Sequence, residues 1–176
     1  MRSTLIWILI FFFGLAEEGC GVYSFTGAHS NPDVKTVNVA IFENTAKLVV
    51  PNLSQKLTEA LKNQILNGTS LSQVSDPNQA DVIFEGQVTD YTVQPVAITG
   101  GGNGTAPSVS QQTRLTITIN VKFTSKKHEK ESFDQSFSRY DDFLGTTNLS
   151  SIEQSEIDKI NKQLIQDVYN RAFVNW

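Results

Sequence analysis

The chain has a single cysteine, Cys20, and it is the residue best placed for covalent chemistry. It follows Gly19 and stands just past the apolar run Leu5–Leu15, LIWILIFFFGL, which Arg2 precedes. A positive start followed by an apolar run shorter than the ~20 residues of a membrane-spanning helix reads as an export signal. A cysteine directly behind such a run is an acceptor for diacylglycerol on its sulfur. Cleavage before it exposes an amine for a further acyl chain of the palmitate type. Two or more chains, at ~0.8 kcal/mol per buried methylene, hold a protein stably to a bilayer, where one does so only marginally. The two places before Gly19 are Glu17 and Glu18 rather than the Leu and small residue usual in a lipobox. Cleavage by the ordinary signal peptidase and an uncleaved anchor therefore stay open as alternatives.

Other residues invite weaker chemistry. Lys122, Lys126, Lys127 and Lys130 gather at one end of a strand and its following turn. They read first as a charged hairpin that keeps a sheet edge soluble, and second as a contact for anionic headgroups or phosphates. The stretch Gly100–Gly104, GGGNG, lacks the Lys and the strand-to-helix setting of a phosphate loop, and reads as a hairpin tip. Asp141 and Asp142 are adjacent in a strand pattern, so their side chains point to opposite faces and cannot share acid–base work. His29 and His128 have no Cys or acidic partners at metal-ligand spacing. No G-x-S-x-G elbow accompanies the many serines. The expectation is a protein without catalytic constellation, metal or cofactor.

Composition agrees with a binding or structural role. The formal charge is −4 and the isoelectric point about 5.1, which excludes a general nucleic-acid binder with its basic face. One cysteine makes no internal disulfide. The expected division is a signal peptide over 1–19, a lipidated tether over 20–34, and one domain over 35–176. That domain is long enough to bury roughly two-thirds of the surface its unfolded form exposes.

The elements that position these residues follow from periodicity. Val37, Val39 and Ile41 alternate with Asn38, Ala40 and Phe42 as a half-buried strand. Leu53, Leu57, Leu61 and Ile65 recur every four residues in a helix from Pro51 to Leu66, which Asn67-Gly68 stops. Leu71–Val74 reads as a short strand, and Asp81–Val96 as a long one with a bend or bulge at Gly86. Leu115, Ile117, Ile119, Val121 and Phe123 alternate with Thr116, Thr118, Asn120, Lys122 and Thr124 in a strand over Thr113–Ser125. Another strand runs from Phe133 to about Phe143. A final helix starts at a Ser150/Glu153 capping box and buries Ile157, Ile160, Leu164, Val168 and Ala172, widened by Ile165, Tyr169 and Phe173. The economical packing is α+β: two helices on one face of a mostly antiparallel four-stranded sheet, the other face staying wet or meeting a partner.

Seven segments together carry a resemblance: GCGVYSF (19–25), PNLSQKLTEAL (51–61), FEGQV (84–88), YTVQPVAITG (91–100), RLTITINV (114–121), FDQSFSRY (133–140) and AFVNW (172–176). The chain resembles the LptE lipopolysaccharide-assembly lipoproteins in their Bacteroidetes-type form. The resemblance implies a small lipoprotein, lipid-anchored at the periplasmic side of the outer membrane. It further implies a plug in the lumen of an LptD-type β-barrel that passes lipopolysaccharide to the outer leaflet. A polar-lined barrel wide enough for a glycolipid would leak if empty, and Thr116, Thr118, Asn120, Thr124, Ser136, Ser138 and Tyr140 supply a hydrogen-bonding exterior. A stand-alone binding lipoprotein without a barrel is the other reading, and a hydrolase with an unrecognised site is the third.

Overall fold

A computed structural model describes residues 32–99 and 109–174. Cys20, His29, the Gly100–Gly104 stretch and Trp176 lie outside the described residues. The strands are β1 (Thr36–Val39), β2 (Glu43–Asn44), β3 (Ser72–Gln73), β4 (Val82–Thr99), β5 (Val109–Ser125) and β6 (Phe133–Leu144). The helices are α1 (Leu53–Gly68) and α2 (Leu149–Phe173).

The sheet has six strands and is mixed, in place of the expected four antiparallel ones. Its order is β3-β1-β4-β5-β6, with β2 also on β4. The β4-β5-β6 part is an antiparallel meander. The pairs β1/β3, β1/β4 and β2/β4 are parallel. Strand β3 falls within the short strand expected over Leu71–Val74, whereas the two-residue β2 carries no alternation long enough to read. Both helices cover one face. They run parallel, with Lys56 meeting Asp158 at one end and the Tyr169 hydroxyl donating to the Gly68 carbonyl at 2.7 Å at the other.

The apolar stripes expected of the helices are the ones buried: Leu53, Leu57, Leu61 and Ile65 on α1, and Ile157 through Phe173 on α2. They meet Val82, Phe84 and Val88 of β4 and the alternate residues Leu115–Phe123 of β5. At the end where both helices finish, Phe84, Phe123, Phe133 and Phe173 stack with centroids 4.8–6.2 Å apart.

Four local expectations change. First, Gly86 is not a bulge: it pairs in register with Val121, and the register shift falls between Val88 and Asp90. Because the bulge adds a residue, the inward parity switches from even to odd and Tyr91 enters the core. Second, Ile41 does not follow Val37 and Val39 inward. It is 74% exposed, and Phe42 takes the core position. The chain loops out between β1 and β2 so that the Phe42 ring lies over Gly86, where a Cβ would sit 2.3 Å from it. Third, Asn148 caps α2 by accepting from the Ser150 N–H at 3.0 Å, and Glu153 instead accepts from the Tyr91 hydroxyl at 2.7 Å. Fourth, α1 starts at Leu53 behind a left-handed Asn52 (φ 63°), leaving Pro51 outside the helix.

Tyr91 bonds to the first turns of α2, yet β4 continues to Thr99. The β4–β5 hairpin therefore runs on past the Tyr91–Glu153 bond by about eight residues, roughly 27 Å at strand rise. Val93, Gln94, Pro95 and Ala97 on it are exposed. No charged residue occurs from Tyr91 to Thr113.

The opposite end is tied by Asp81, whose carboxylate accepts from the Lys35 and Thr36 N–H groups at 2.8 and 3.1 Å and pairs with Lys127 at 2.9 Å. The Lys35 N–H and the Lys127 ammonium hold its pKa at about 2, below the usual 3.8. A depressed carboxylate stabilises the fold above its unfolded pKa, and that contribution disappears as pH falls through the folded value. Between about pH 4 and pH 2 the wild type therefore loses about 1–2 kcal/mol through this group, after discounting for solvent screening. Asp81→Asn removes that part of the acid dependence, as urea titrations across the window will read.

Candidate functional site

The candidate site is the sheet face that no helix covers. Strand alternation sends one polar row across each step of β4, β5 and β6. Glu85, Lys122 and Asp134 form one row, then Gln87, Asn120 and Ser136, then Asp90, Thr118 and Ser138, then Thr92, Thr116 and Tyr140, then Gln94, Arg114 and Asp142. These side chains bond across strands rather than inward. Lys122 reaches Glu85 at 3.0 Å, Asn120 donates to Asp134 at 2.8 Å, and the Thr118 and Ser138 hydroxyls lie 3.0 Å apart.

At its upper end the Arg114 guanidinium makes a two-pronged bond to Asp142, 2.7 and 2.8 Å, and stacks on Tyr140 at 3.7 Å from the ring centroid. The Asp142 bond holds the Arg114 pKa above its ordinary value. The adjacent Asp141 turns to the helix side, where it meets Lys159 at 3.3 Å, so the two carboxylates do point apart as strand geometry requires.

At the lower end a cleft of about 340 Å³ opens among Ile41, Glu43, Glu85, Gln87, Lys122 and Asp134. Sequence reading did not find it. The available signal was the pair Ile41-Phe42: two adjacent apolar residues cannot both face one side of a strand, and Gly86 is the vacancy that takes the second.

The four lysines do not converge. Lys122 lies on the open face with Glu85. Lys126 bonds the carbonyls of Pro77 and Asn78 at 2.7 and 2.9 Å. Lys127 bonds the Asp33 carbonyl and pairs with Asp81. Lys130 is exposed. His128 stands 3.9 Å from Glu131, half-buried. Among the described residues no helix is long and apolar enough to cross a membrane.

The described fold and its bare polar face can be set beside known proteins. A family model described as LptE, lipopolysaccharide-assembly, matches residues 34–172. The chain belongs to the LptE family. That is a family of lipopolysaccharide assembly and not a known enzyme family. No curated protein sequence matches the chain. A neuraminyllactose-binding hemagglutinin homolog from Helicobacter pylori is similar in structure, with a TM-score of 0.52 at 13% identity, covering 84% of this chain and 88% of that one. Protein CT253 from Chlamydia trachomatis aligns with a TM-score of 0.51 at 8% identity over 78% and 98% of the two chains. A minor lipoprotein from Acinetobacter baumannii gives 0.48 at 14% identity over 78% and 91%. At such identities the first two likenesses speak for the shared fold alone.

Proposed function

We propose that this LptE-family chain is an outer-membrane lipoprotein, held by acyl chains on Cys20, that plugs and helps assemble an LptD-type β-barrel and so supports lipopolysaccharide transport to the outer leaflet. The observation that carries the reading is the division of the sheet. From Glu85 to Gln94 the apolar residues of β4 and their partners on β5 go to the helix side, and the other side offers cross-bonded hydroxyls, amides and charges. A polar barrel lumen is the surface such a face matches. The uncharged hairpin beyond Tyr91 is the part that extends farthest into the lumen. The basic turn with Lys126, Lys127 and Lys130 is the proposed contact for the phosphates of the glycolipid, and Lys122, paired with Glu85 on the open face, stands apart from it.

Affinity purification of the tagged protein from outer membranes tests the reading. A detergent-resistant complex with a large β-barrel is expected, with lipopolysaccharide retained in it. Cys20→Ala is expected to move the protein to the soluble periplasmic fraction and to remove the acyl mass from its N-terminus. Recovery of the wild type alone, with no barrel, favours the stand-alone binding lipoprotein instead.

A further inference from the structure

We infer that the Ile41 knuckle and the cleft beside it form a docking site for a protein partner that presents a basic side chain, arginine or lysine. The inference rests on the barrel reading above for the identity of the partner, and on independent geometry for the place.

The knuckle is built, not frayed. The Ala40 N–H donates to the Phe84 carbonyl at 2.9 Å, and the Phe42 N–H donates to the buried Thr58 hydroxyl at 2.9 Å. Phe42 itself is 2% exposed. With both neighbours fixed, Ile41 is held outward at 74% exposure, the highest among the exposed large apolar residues of the described chain. The same connection to α1 also exposes Leu48 and Val49. A rigid apolar side chain at the rim of a cleft is the form of an interface anchor, because little ordering remains to be done on binding.

Charge selects the occupant. Glu43, Glu85 and Asp134 line the cleft against the lone ammonium of Lys122. Lys122 is engaged with Glu85, and Asp134 accepts from Asn120, whereas Glu43 has no partner among the described residues. Farther along the face Asp90 adds a further carboxylate, and Arg114 and Asp142 offset one another. The face as a whole is acidic. It repels phosphate and attracts a guanidinium or ammonium, and such complementarity fixes partner and register. The glycolipid's phosphates are therefore excluded from this cleft, and a basic element of the protein partner enters it.

The test uses the full-length protein in its native outer membrane, with Ile41→p-benzoyl-phenylalanine as a photo-crosslinker and the same substitution at the exposed Lys162 of α2 as a control. Light is expected to join position 41, and not position 162, to the barrel copurified with the wild type, through a peptide containing Arg or Lys. In parallel, Ile41→Glu and the pair Glu43→Lys with Glu85→Lys are expected to lower barrel recovery at least tenfold while thermal melting stays near that of the wild type. If the wild type recovers the barrel and these variants recover it equally, the docking site is wrong and the barrel reading stands. Labelling of lipopolysaccharide from position 41 overturns the basic-partner assignment. If the wild type recovers no barrel, both readings fall.

Discussion

Gly86→Val is expected to lower folding stability by about 3 kcal/mol, and Gly86→Ala by about 2 kcal/mol. In most strands a glycine-to-alanine change gains about 0.5–1 kcal/mol, so the sign alone is informative. It reverses here because a Cβ at position 86 meets three ring carbons of Phe42 at 2.3–2.6 Å. The backbone that carries the ring is held in place. Its own N–H is bound to Thr58, and the Ala40 and Thr45 N–H groups on either side are bound to β4 at 2.9 Å each. Phe42→Ala alone is expected to cost about 4 kcal/mol through the lost ring and the cavity. The combination with Gly86→Val then falls short of the summed losses by 1 kcal/mol or more, since the valine occupies space the ring has left. Urea unfolding of the four proteins makes the measurement, and strict additivity would refute the ring-over-glycine account.

Lys159→Met is expected to destabilise the fold near neutral pH. Lys159 reaches Glu156 at 2.8 Å and Asp141 at 3.3 Å from an exposed position, while the Glu156 side chain is only 7% exposed. Removing the lysine leaves the buried Glu156 side chain without its cation, a charge whose burial is then uncompensated. Asp141 is held below its ordinary carboxylate range by its bond with Glu156 and by Lys159. Without the lysine, two carboxylates face each other, and protonating one relieves the repulsion. The loss caused by Lys159→Met therefore shrinks as pH falls below the carboxylate range, and Glu156→Gln in the same chain restores part of it at pH 7. Chemical denaturation at pH 7 and pH 4 separates this from simple loss of packing, which does not depend on pH.

The buried faces of the helices were legible, though not their starts, because the stripes are set by one period and one face: the residues named from Leu53 to Ile65 and from Ile157 to Phe173 as inside are inside. The meander was legible for the same reason. What the sequence hid is local and tertiary. Ile41 and Phe42 exchange roles because of a glycine more than forty residues away, and no local period encodes that. The bulge after Val88 changes which residues point inward, and Asp90 and Tyr91 read ambiguously without it. Glu153 fits a capping box, but Tyr91 competes for the same carboxylate and wins it. The candidate site was half legible. The polar alternation of β5 announced an open face, whereas the cleft required knowing that β2 runs beside β4.

The interleaved strand order also governs the order of assembly. β4, β5 and β6 follow one another in the chain and join by short-range contacts. Strand β1 must instead wait for Val82 to pair with Val37 across α1 and β3, and closing such separations early is entropically slow. During synthesis the N-terminal half emerges first, with the stripe of α1 bare until the meander exists to receive it. The N-terminal strand is thus the last to find its place, and until it does the chain carries its stickiest surface outward.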